Sequence, residues 1–250
     1  QKSKLNYSFR LQEQSKSSAF NLWDNNIISD ENEICKKLNI DPSKNLLICF
    51  PNVYWDSTHM GLNGVSKDLT TWLFDMIEFV RDKDDFQLII RAHPGEIKVP
   101  KVLQSKKTIL DSIKAKVIDM PKNIVLIEPT DQISSYTLAS LANANLVWNG
   151  TIGLEIAMKG IKPIVVADAY YSNKGFTLDY LKIDRLFYDL QNEKISTKLS
   201  IREKQLLEVF CYHIRFNRKF NPPYYKGYRA TIYNYQDIMR GRNSALDNMV

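Results

Sequence analysis

Polar residues that could bind a phosphate follow several short apolar runs in the middle of this 250-residue sequence. One run ends just before Arg91, with His93 two residues further on, and the next run ends just before Glu128 and Pro129. An arginine binds phosphate bidentately, and a histidine, which titrates near neutral pH, either donates to phosphate or shuttles a proton. The pattern predicts an anion site where these runs end, with an ion pair from Arg91 to Glu96 or Asp56 as the alternative use of the arginine.

The most informative of these loops reads NGTIG and opens a helix. The loop and its helix contain Asn149, Gly150, Thr151, Ile152, Gly153 and Glu155. Glycines leave backbone N–H groups accessible to an anion, and the helix dipole favours a phosphate at such a start. Glu155, one turn later, could accept hydrogen bonds from ribose hydroxyls. The pattern is equally typical of a helix capped by Thr151, with glycines for close helix–sheet packing, so both interpretations stay open.

The apolar runs alternate with helical patterns, and this alternation is what positions the polar loops. Strands are predicted at 46–50, 86–90, 124–127, 146–148 and 163–167, and helices at 67–82, 102–118, 134–143, 151–159 and 201–217. Runs that are nearly continuous in Val, Ile and Leu suit strands covered on both faces. We therefore predict an α/β fold, a Rossmann-like doubly wound parallel sheet of five or six strands. Ligands of such sheets bind at the carboxyl ends of the strands.

Composition and missing motifs exclude several classes of function. With 44% hydrophobic and 25% charged residues the chain is typical of a soluble globular protein, and it has no apolar run long enough to cross a membrane. Neither a Walker loop nor the dinucleotide fingerprint is present, and the spacing of the His, Cys and acidic residues predicts no metal site and no cofactor. Asp56 is a candidate catalytic group only because it is an acid in the loop after the first run, close to His59.

The positive charge of the chain is concentrated at its C-terminus. Residues 201–250 hold nine Lys or Arg against four Asp or Glu, in a chain whose net charge is +6. The basic residues alternate with aromatic ones, a pattern that suits a neighbouring domain, an anionic membrane or glycan, or, least favoured, nucleic acid. We predict a lead-in segment at 1–44, a nucleotide-sugar-binding domain at 45–200 and a basic helix and tail at 201–250.

Three stretches resemble the bacterial capsule polysaccharide biosynthesis glycosyltransferases, a group that includes retaining Kdo transferases. They are LIIRAHPGE (88–96), the run from NIVLIEPTD to KPIVV (123–166) and AYYSNKGFT (169–177). The resemblance covers roughly residues 45–180 and implies the C-terminal, donor-binding half of a GT-B enzyme. The family often has Ser where this sequence has Asn149.

The resemblance also implies roles for individual residues. His93 and Arg91 would bind the donor phosphate, and backbone N–H groups near Thr151 would assist them. The remaining implied contacts are Ile152 and Gly153 at the phosphate, Glu155 at the ribose, Glu128 and Pro129 beside the base, and Lys174 and Gly175 at the far side of the pocket.

The expected function is that of a glycosyltransferase domain that binds a nucleotide-activated sugar such as CMP-Kdo and acts on a glycan or glycolipid acceptor. A GT-B enzyme also needs an N-terminal domain, supplied in cis or by a partner chain. The expected location is the cytoplasm, with peripheral contact at the inner membrane face. The alternatives are a nucleotide-sugar epimerase, a CDP-polyol phosphotransferase, and a non-catalytic module that docks through its basic tail.

Overall fold

The computed structural model describes residues 27–53, 64–99, 101, 104, 106–192 and 195–214, and the backbone of 225–226 and 229–230. Contacts divide the chain into two units, one of residues 1–207 and one of residues 208–250. In the second unit, strands β7 (Tyr225–Lys226) and β8 (Arg229–Ala230) pair antiparallel. The described residues 208–214 also belong to the second unit, and all other described residues belong to the first.

Six strands of the described chain form one sheet in the order β3-β2-β1-β4-β5-β6, and every pair is parallel. The strands are β1 (Asn45–Phe50), β2 (Phe86–Arg91), β3 (Ile124–Ile127), β4 (Ala144–Val147), β5 (Ile164–Val165) and β6 (Leu178–Asp179). This is the strand order of the dinucleotide-binding doubly wound fold, in which the chain changes direction between β1 and β4. The predicted fold class is confirmed.

Helices cover both faces of the sheet. They are α1 (Glu31–Leu38), α2 (Leu69–Val80), α3 (Ile109–Lys116), α4 (Ser135–Leu141), α5 (Ile152–Met158), α6 (Ile183–Gln191) and α7 (Ile201–Tyr212). Buried residues of α2, α3 and α6 form one core cluster with the sheet, and buried residues of α1, α4 and α5 form the other. The sheet therefore lies between two helical layers.

The sequence of β1 explains why both faces of the sheet are apolar. Leu47 and Cys49 belong to one core cluster, while Leu46, Ile48 and Phe50 belong to the other. Successive side chains of a strand point to opposite faces, so a strand covered on both sides reads as a continuous apolar run. Burial of each Leu, Ile or Phe side chain of this strand contributes about 1.5–3 kcal/mol to the stability of the folded chain.

Side-chain caps determine where several of the helices begin. Asp30, Asp68 and Ser134 each accept a backbone N–H from the first turn of α1, α2 and α4. Thr108 and Asp111 form a reciprocal capping box at the start of α3. The predicted helix at 102–118 therefore begins seven residues later than its apolar pattern indicated.

The structure adds elements that periodicity did not predict. The strand β6 has only two residues, and α6, which was not predicted, buries Leu186 and Leu190 in the core cluster that contains α2 and α3. The helix α1 was visible in the sequence only as a weak pattern. It packs Ile34 into the core, and the preceding residue Ile28 bridges to Ile133. The described part of the lead-in segment thus joins the same unit as the sheet.

Candidate functional site

The carboxyl ends of β1 and β4 meet at the point where the strand order reverses. Phe50 pairs with Val147 in register, and Trp148 donates its backbone N–H to the Phe50 carbonyl (3.3 Å). Two residues beyond that pair stand Asn52 and Asn149, both 8% exposed. Because open α/β sheets bind ligands in the crevice at this position, these two amides lie where a ligand is expected.

Asn52 and Asn149 hydrogen-bond to each other across this crevice. The Asn52 Nδ2 donates to the Asn149 Oδ1 (3.0 Å), and the Asn52 Oδ1 accepts the Val53 N–H (2.8 Å). Sequence reasoning selected Asn149 and missed Asn52. The signal for Asn52 was its place two residues after a buried strand, which matches the place of Asn149 after its own strand.

His93 begins the tight turn that follows β2. Its Nδ1 accepts the Gly95 N–H (2.9 Å), so in the neutral imidazole the proton is on Nε2. A Cβ at Gly95 would lie 2.8 Å from that Nδ1 and 3.6 Å from the Val53 Cγ1. Gly95 therefore allows the imidazole to close onto the turn, and the turn lies beside the residue that follows Asn52.

Arg91 bonds to backbone carbonyl oxygens, while its predicted contact with phosphate stays a prediction and the alternative partner Asp56 lies outside the described residues. Its guanidinium donates to the carbonyl oxygens of Ala92 (3.1 Å), Glu128 (2.7 Å) and Asp131 (3.1 Å). The side chain is buried, and this burial lowers its pKa to about 10, against the opposing effect of the Asp131 carboxylate. Arg91 stays protonated at neutral pH and fastens the end of β2 to the loop after β3. The alternative of an ion pair with Glu96 is wrong for this structure.

Glu128 and Pro129 lie in that same loop after β3. The Glu128 carboxylate forms an ion pair with Lys114 of α3, and its backbone N–H donates to the Asp131 Oδ2 (2.9 Å). Pro129 is buried. Their role beside a nucleotide base stays a prediction.

The two glycines of the NGTIG loop serve different purposes. A Cβ at Gly153 would lie 2.2 Å from the hydroxyl oxygen of Tyr171, whose OH donates to the Gly150 carbonyl (2.6 Å). A Cβ at Gly150 would meet only the Ile152 Cγ2, at 3.7 Å. Gly153 thus makes room for a core tyrosine, and its own N–H donates to the Gly150 carbonyl (3.2 Å). The close-packing interpretation describes Gly153 in this structure.

Thr151 and Ile152 lie at the start of α5, at the edge of the site. Thr151 is exposed, occupies the N-cap position and makes no side-chain cap hydrogen bond, so the interpretation of Thr151 as a side-chain cap is wrong. Ile152 is half-buried against the core cluster that contains α1. Binding of phosphate by their backbone N–H groups stays a prediction.

Glu155 is held by a tyrosine from the neighbouring helix. The Tyr136 hydroxyl donates to the Glu155 Oε2 (2.7 Å), and burial together with that carboxylate raises the pKa of Tyr136 well above its usual range. Glu155 is half-buried and uses one carboxylate oxygen in this bond. A contact of Glu155 with ribose stays a prediction.

Glu96 is a fully buried carboxyl group in the turn that carries His93. Its Oε1 accepts the Ile109 N–H at the start of α3 (3.0 Å), and its Oε2 has no hydrogen-bond partner within the described structure. Burial raises the pKa of Glu96 to about 7, and the nearby Asp111 and Glu128 act in the same direction. Sequence reasoning treated Glu96 only as a partner for Arg91.

Two further predicted contacts lie after β5. Lys174 and Gly175 are both exposed, and Gly175 has a φ of +86°, a left-handed conformation that favours glycine. A Cβ there would also lie 2.7 Å from the Leu206 Cδ1 of α7. Gly175 is explained by its backbone and by this contact, and its role in closing a pocket stays a prediction.

The remaining predictions concern Asp56, His59, a metal site and a membrane span. Asp56 and His59 lie outside the described residues. Among the residues that are described, no three His, Cys, Asp or Glu side chains group in a way that could hold a metal ion. No helix of this part of the chain is long and apolar enough to span a membrane.

The hydrogen bonds connect several of the predicted residues along one edge of the sheet. Asn149 bonds to Asn52, and the turn of His93 lies beside Val53. Arg91 joins the end of β2 to the loop of Glu128. Glu155 faces α4 through Tyr136, and Lys174 and Gly175 lie beyond β5 towards α7.

No family model and no curated protein matches this sequence. Solved structures with a similar arrangement include a beta Kdo 2,4 transferase, KpsC of Thermosulfurimonas dismutans, at 13% identity and a TM-score of 0.47, with 82% of this chain and 55% of that chain covered. A KpsC beta Kdo 2,7 transferase of the same organism matches at 17% identity and a TM-score of 0.40, with 74% of this chain and 52% of that chain covered. The wall teichoic acid polymerase TagF matches at 13% identity and a TM-score of 0.42, with 74% of this chain and 42% of that chain covered. The chain spans about half the length of these proteins or less. At these TM-scores the similarity supports no conclusion about function. The function proposed below rests on the geometry of the site.

Proposed function

We propose that this chain is the donor-binding domain of a glycosyltransferase that uses a nucleotide-activated sugar. The donor we favour is a CMP-linked acidic sugar such as CMP-Kdo, and the reaction belongs to the synthesis of a capsule or another cell-surface polysaccharide. The acceptor would be a glycan or glycolipid, and an N-terminal domain, in cis or from a partner chain, would bind it. The basic residues of 201–250 suit contact with that acceptor or with an anionic membrane face.

The observation that carries the proposal is the polarity of two side chains at the end of the sheet. Asn149 already uses its Oδ1 to accept from Asn52, and His93 already uses its Nδ1 to accept from Gly95. The other polar atom of each side chain, Nδ2 in one and Nε2 in the other, is a donor. Asn149 lies at the crevice between β1 and β4, and His93 lies on the turn after the neighbouring strand β2. Donors at this edge of the sheet suit a ligand group that only accepts, such as a phosphate.

The charge of Arg91 supports the same ligand. Its guanidinium lies two residues before His93, and its hydrogen bonds go to carbonyl oxygens. The nearby Asp131 carboxylate offsets part of this charge, and the positive potential that remains at this edge of the sheet favours an anion. Arg91 therefore acts through its field and through the loop that it fastens.

The mechanism that we derive from these contacts is electrostatic. Cleavage of the bond between the sugar and the nucleotide leaves negative charge on the phosphate, and preorganised donors stabilise that charge in the transition state. In this structure His93 is fixed by Gly95 and Asn149 is fixed by Asn52, so neither has to reorient when the charge develops. The acceptor and any group that activates it would come from outside the described residues.

The test is the thermal stability of the full chain with and without nucleotides. We expect CMP to raise the melting temperature, and we expect the His93→Ala variant to lose most of that increase because it loses the Nε2 donor. His213→Ala is the matched control, since His213 is exposed in the π-helical residues that directly continue α7. This control should keep the full response.

The pattern of nucleotide responses separates the alternatives. Stabilisation by UDP alone would favour an epimerase, and stabilisation by CDP-glycerol without CMP-Kdo would favour a polyol phosphotransferase. No response to any nucleotide, together with binding to anionic lipid or glycan, would overturn the proposal in favour of a docking module.

A further inference from the structure

We propose that Tyr136 is a positioning residue that holds the Glu155 carboxylate towards the ribose of the nucleotide, and that this pair selects ribonucleotides over 2′-deoxyribonucleotides. This inference rests on the proposed function, because it concerns the ribose of the same ligand. Sequence reasoning gave no role to Tyr136. Its contribution would come through Glu155 and would not require contact with the ligand.

The carboxylate of Glu155 lies close to the loop that opens α5. This helix begins directly after the loop that follows β4, and helical side chains lean towards the N-terminus of their helix, so Glu155 covers the first turn. Burial raises the pKa of Tyr171 well above its usual range, and nearby titratable groups, Glu155 among them, act in the same direction. Because the Tyr171 hydroxyl donates to the Gly150 carbonyl, this carboxylate lies near the NGTIG loop.

Tyr136 is the partner of this carboxylate within the described structure. Its hydroxyl, from the first turn of α4, donates to the Glu155 Oε2 at 2.7 Å. Lys159 stands one turn after Glu155, at the spacing of a helical ion pair, but its Nζ lies 5.0 Å from the centroid of the Tyr136 ring. Among the described residues Glu155 forms no ion pair. Tyr136 thus contacts the carboxylate through its hydroxyl and the lysine through its ring.

The hydrogen bond from Tyr136 fixes the conformation of the Glu155 side chain. A glutamate on a helix samples several rotamers, and a bond to a neighbouring helix selects one of them. Oε2 is engaged by Tyr136, so Oε1 is the oxygen that this conformation leaves for a ligand. Without the tyrosine hydroxyl, the side chain would have to be ordered when the ligand binds, at a cost in affinity.

The chemistry of a carboxylate favours hydroxyl groups as its ligand. A carboxylate accepts hydrogen bonds and donates none, and it repels a phosphate. Ribose presents two hydroxyl donors side by side, at its 2′ and 3′ carbons, and 2′-deoxyribose lacks the first of them. A bond from a hydroxyl to a carboxylate is charge-assisted, so its loss should weaken nucleotide binding about tenfold.

The test compares CMP with 2′-deoxy-CMP, which differ only in the 2′ hydroxyl. Calorimetry would give both affinities for the full chain and for the Tyr136→Phe, Glu155→Ala and doubly substituted variants. We expect the unsubstituted chain to prefer CMP about tenfold. Tyr136→Phe should reduce this preference to about threefold, because Glu155 is then no longer held in place. In Glu155→Ala the preference should vanish, and Tyr136→Phe should change nothing further in that background.

Tyr180→Phe is the matched control. The Tyr180 hydroxyl also donates to a carboxylate, the Asp189 Oδ2, at 3.0 Å, and its ring packs on the core cluster at the other face of the sheet. This substitution should leave the preference for CMP unchanged. Melting temperatures without nucleotide, measured on all variants, report any loss of stability separately from binding. If Tyr136→Phe does not fold, Tyr136→Met, which also lacks the hydroxyl, replaces it in the cycle.

Other results would overturn the role of Tyr136. A purely structural role would weaken the binding of both nucleotides equally and leave the preference unchanged. A direct contact of Tyr136 with ribose would lower the preference in the Glu155→Ala background as well. Equal affinities of the unsubstituted chain for CMP and 2′-deoxy-CMP would overturn the ribose contact while the nucleotide site stands. Absence of CMP binding by that chain would overturn the proposed function as well.

Discussion

At the scale of single residues, Gly150 and Gly153 look alike in the sequence and differ in the structure. Both belong to a loop that opens a helix, but only Gly153 lies against the buried ring of Tyr171. The hydroxyl of that tyrosine passes beneath Gly153 to reach the Gly150 carbonyl. The conformation of the loop is therefore held by a side chain of the core.

This contact predicts that the two glycines tolerate alanine differently. Gly153→Ala places a methyl group 2.2 Å from the Tyr171 hydroxyl oxygen, and we expect it to lower the free energy of unfolding by about 1–3 kcal/mol. Gly150→Ala, which makes an ordinary contact at 3.7 Å, should cost less than about 1 kcal/mol. Denaturant unfolding of the full chain measures both values.

A second substitution identifies the cause of the loss. Tyr171→Phe removes the crowding hydroxyl, so it should restore part of the stability of Gly153→Ala while destabilising the chain that keeps Gly153. The restoration is partial because the ring carbon Cζ is still only 2.8 Å from the added methyl. Equal costs for the two alanine substitutions would contradict this explanation.

The sequence predicted where single residues lie in the fold better than it predicted which residues they contact. His93 and Asn149 lie at strand ends, as the apolar runs before them indicated. The partners of Arg91 were not predictable, because carbonyl oxygens occur at every residue and leave no pattern in the sequence. Asn52 was missed for a related reason, since its importance comes from a neighbour that is 97 residues away.

At the scale of elements, Glu96 links the turn after β2 to the first turn of α3. Its carboxylate accepts the Ile109 N–H, and its backbone N–H donates to the His93 carbonyl (3.0 Å). One buried side chain thus joins the segment that carries the candidate imidazole to a helix on one face of the sheet. The stability of this link depends on whether the carboxyl group is charged.

The raised pKa of Glu96 predicts a pH dependence of stability. In the folded chain burial raises this pKa from its ordinary 4.5 to about 7, so between these values the folded state binds more protons than the unfolded state. The free energy of unfolding contributed by Glu96 therefore falls as pH rises through this window and is constant above it. We expect Glu96→Gln, which keeps an acceptor for Ile109, to gain stability relative to the unsubstituted chain over the same window, by up to about 3 kcal/mol.

Denaturant unfolding at pH 4.5, 6 and 8 measures this difference. Glu78→Gln is the control, because hydrogen bonds from Arg81 lower the pKa of this exposed carboxylate. That substitution should produce a small change of the opposite sign. A difference between Glu96→Gln and the unsubstituted chain that does not vary with pH would show that Glu96 titrates normally.

Most of the elements could be predicted from the sequence, because a long element that packs on the core carries apolar residues at the spacing of a strand or a helix. The strands β1, β2 and β3 and the helix α2 were located to within a few residues. The short strand β6 was missed because two residues carry no periodicity, whereas α6 was overlooked although Ile183, Leu186 and Leu190 stand at helical spacing and pack on the core. Elements of this kind are stabilised by the neighbours on which they pack.

At the scale of the whole molecule, the sheet unit includes chain that precedes its first strand. The helix α1 begins at Asp30, which caps it, and buries Ile34 completely in the core cluster that contains α4 and α5. The amphipathic pattern of eight residues was too short to predict that attachment. The contact of Ile34 with the core makes α1 part of the cooperative unit.

This attachment predicts a large effect from a residue outside the predicted domain. Ile34→Ala should lower the free energy of unfolding by about 2–5 kcal/mol, because it leaves a cavity among buried side chains. Lys37→Ala, on the exposed face of the same helix, should change it by less than about 0.5 kcal/mol. Denaturant unfolding of the full chain measures both, and a cost below 1 kcal/mol for Ile34→Ala would mean that α1 is only loosely attached.

The hydrogen bond between Asn52 and Asn149 has a consequence for the order of folding. It joins positions 97 residues apart, and two strands and the helices between them must form before the crevice exists. Pairings across such a long stretch of chain form late, because loop closure must come first. On the proposed function, a chain still emerging from the ribosome with β4 unfinished would hold half of the crevice and would not retain its nucleotide. On the same proposal, a nucleotide that binds only the complete fold would stabilise that fold against unfolding.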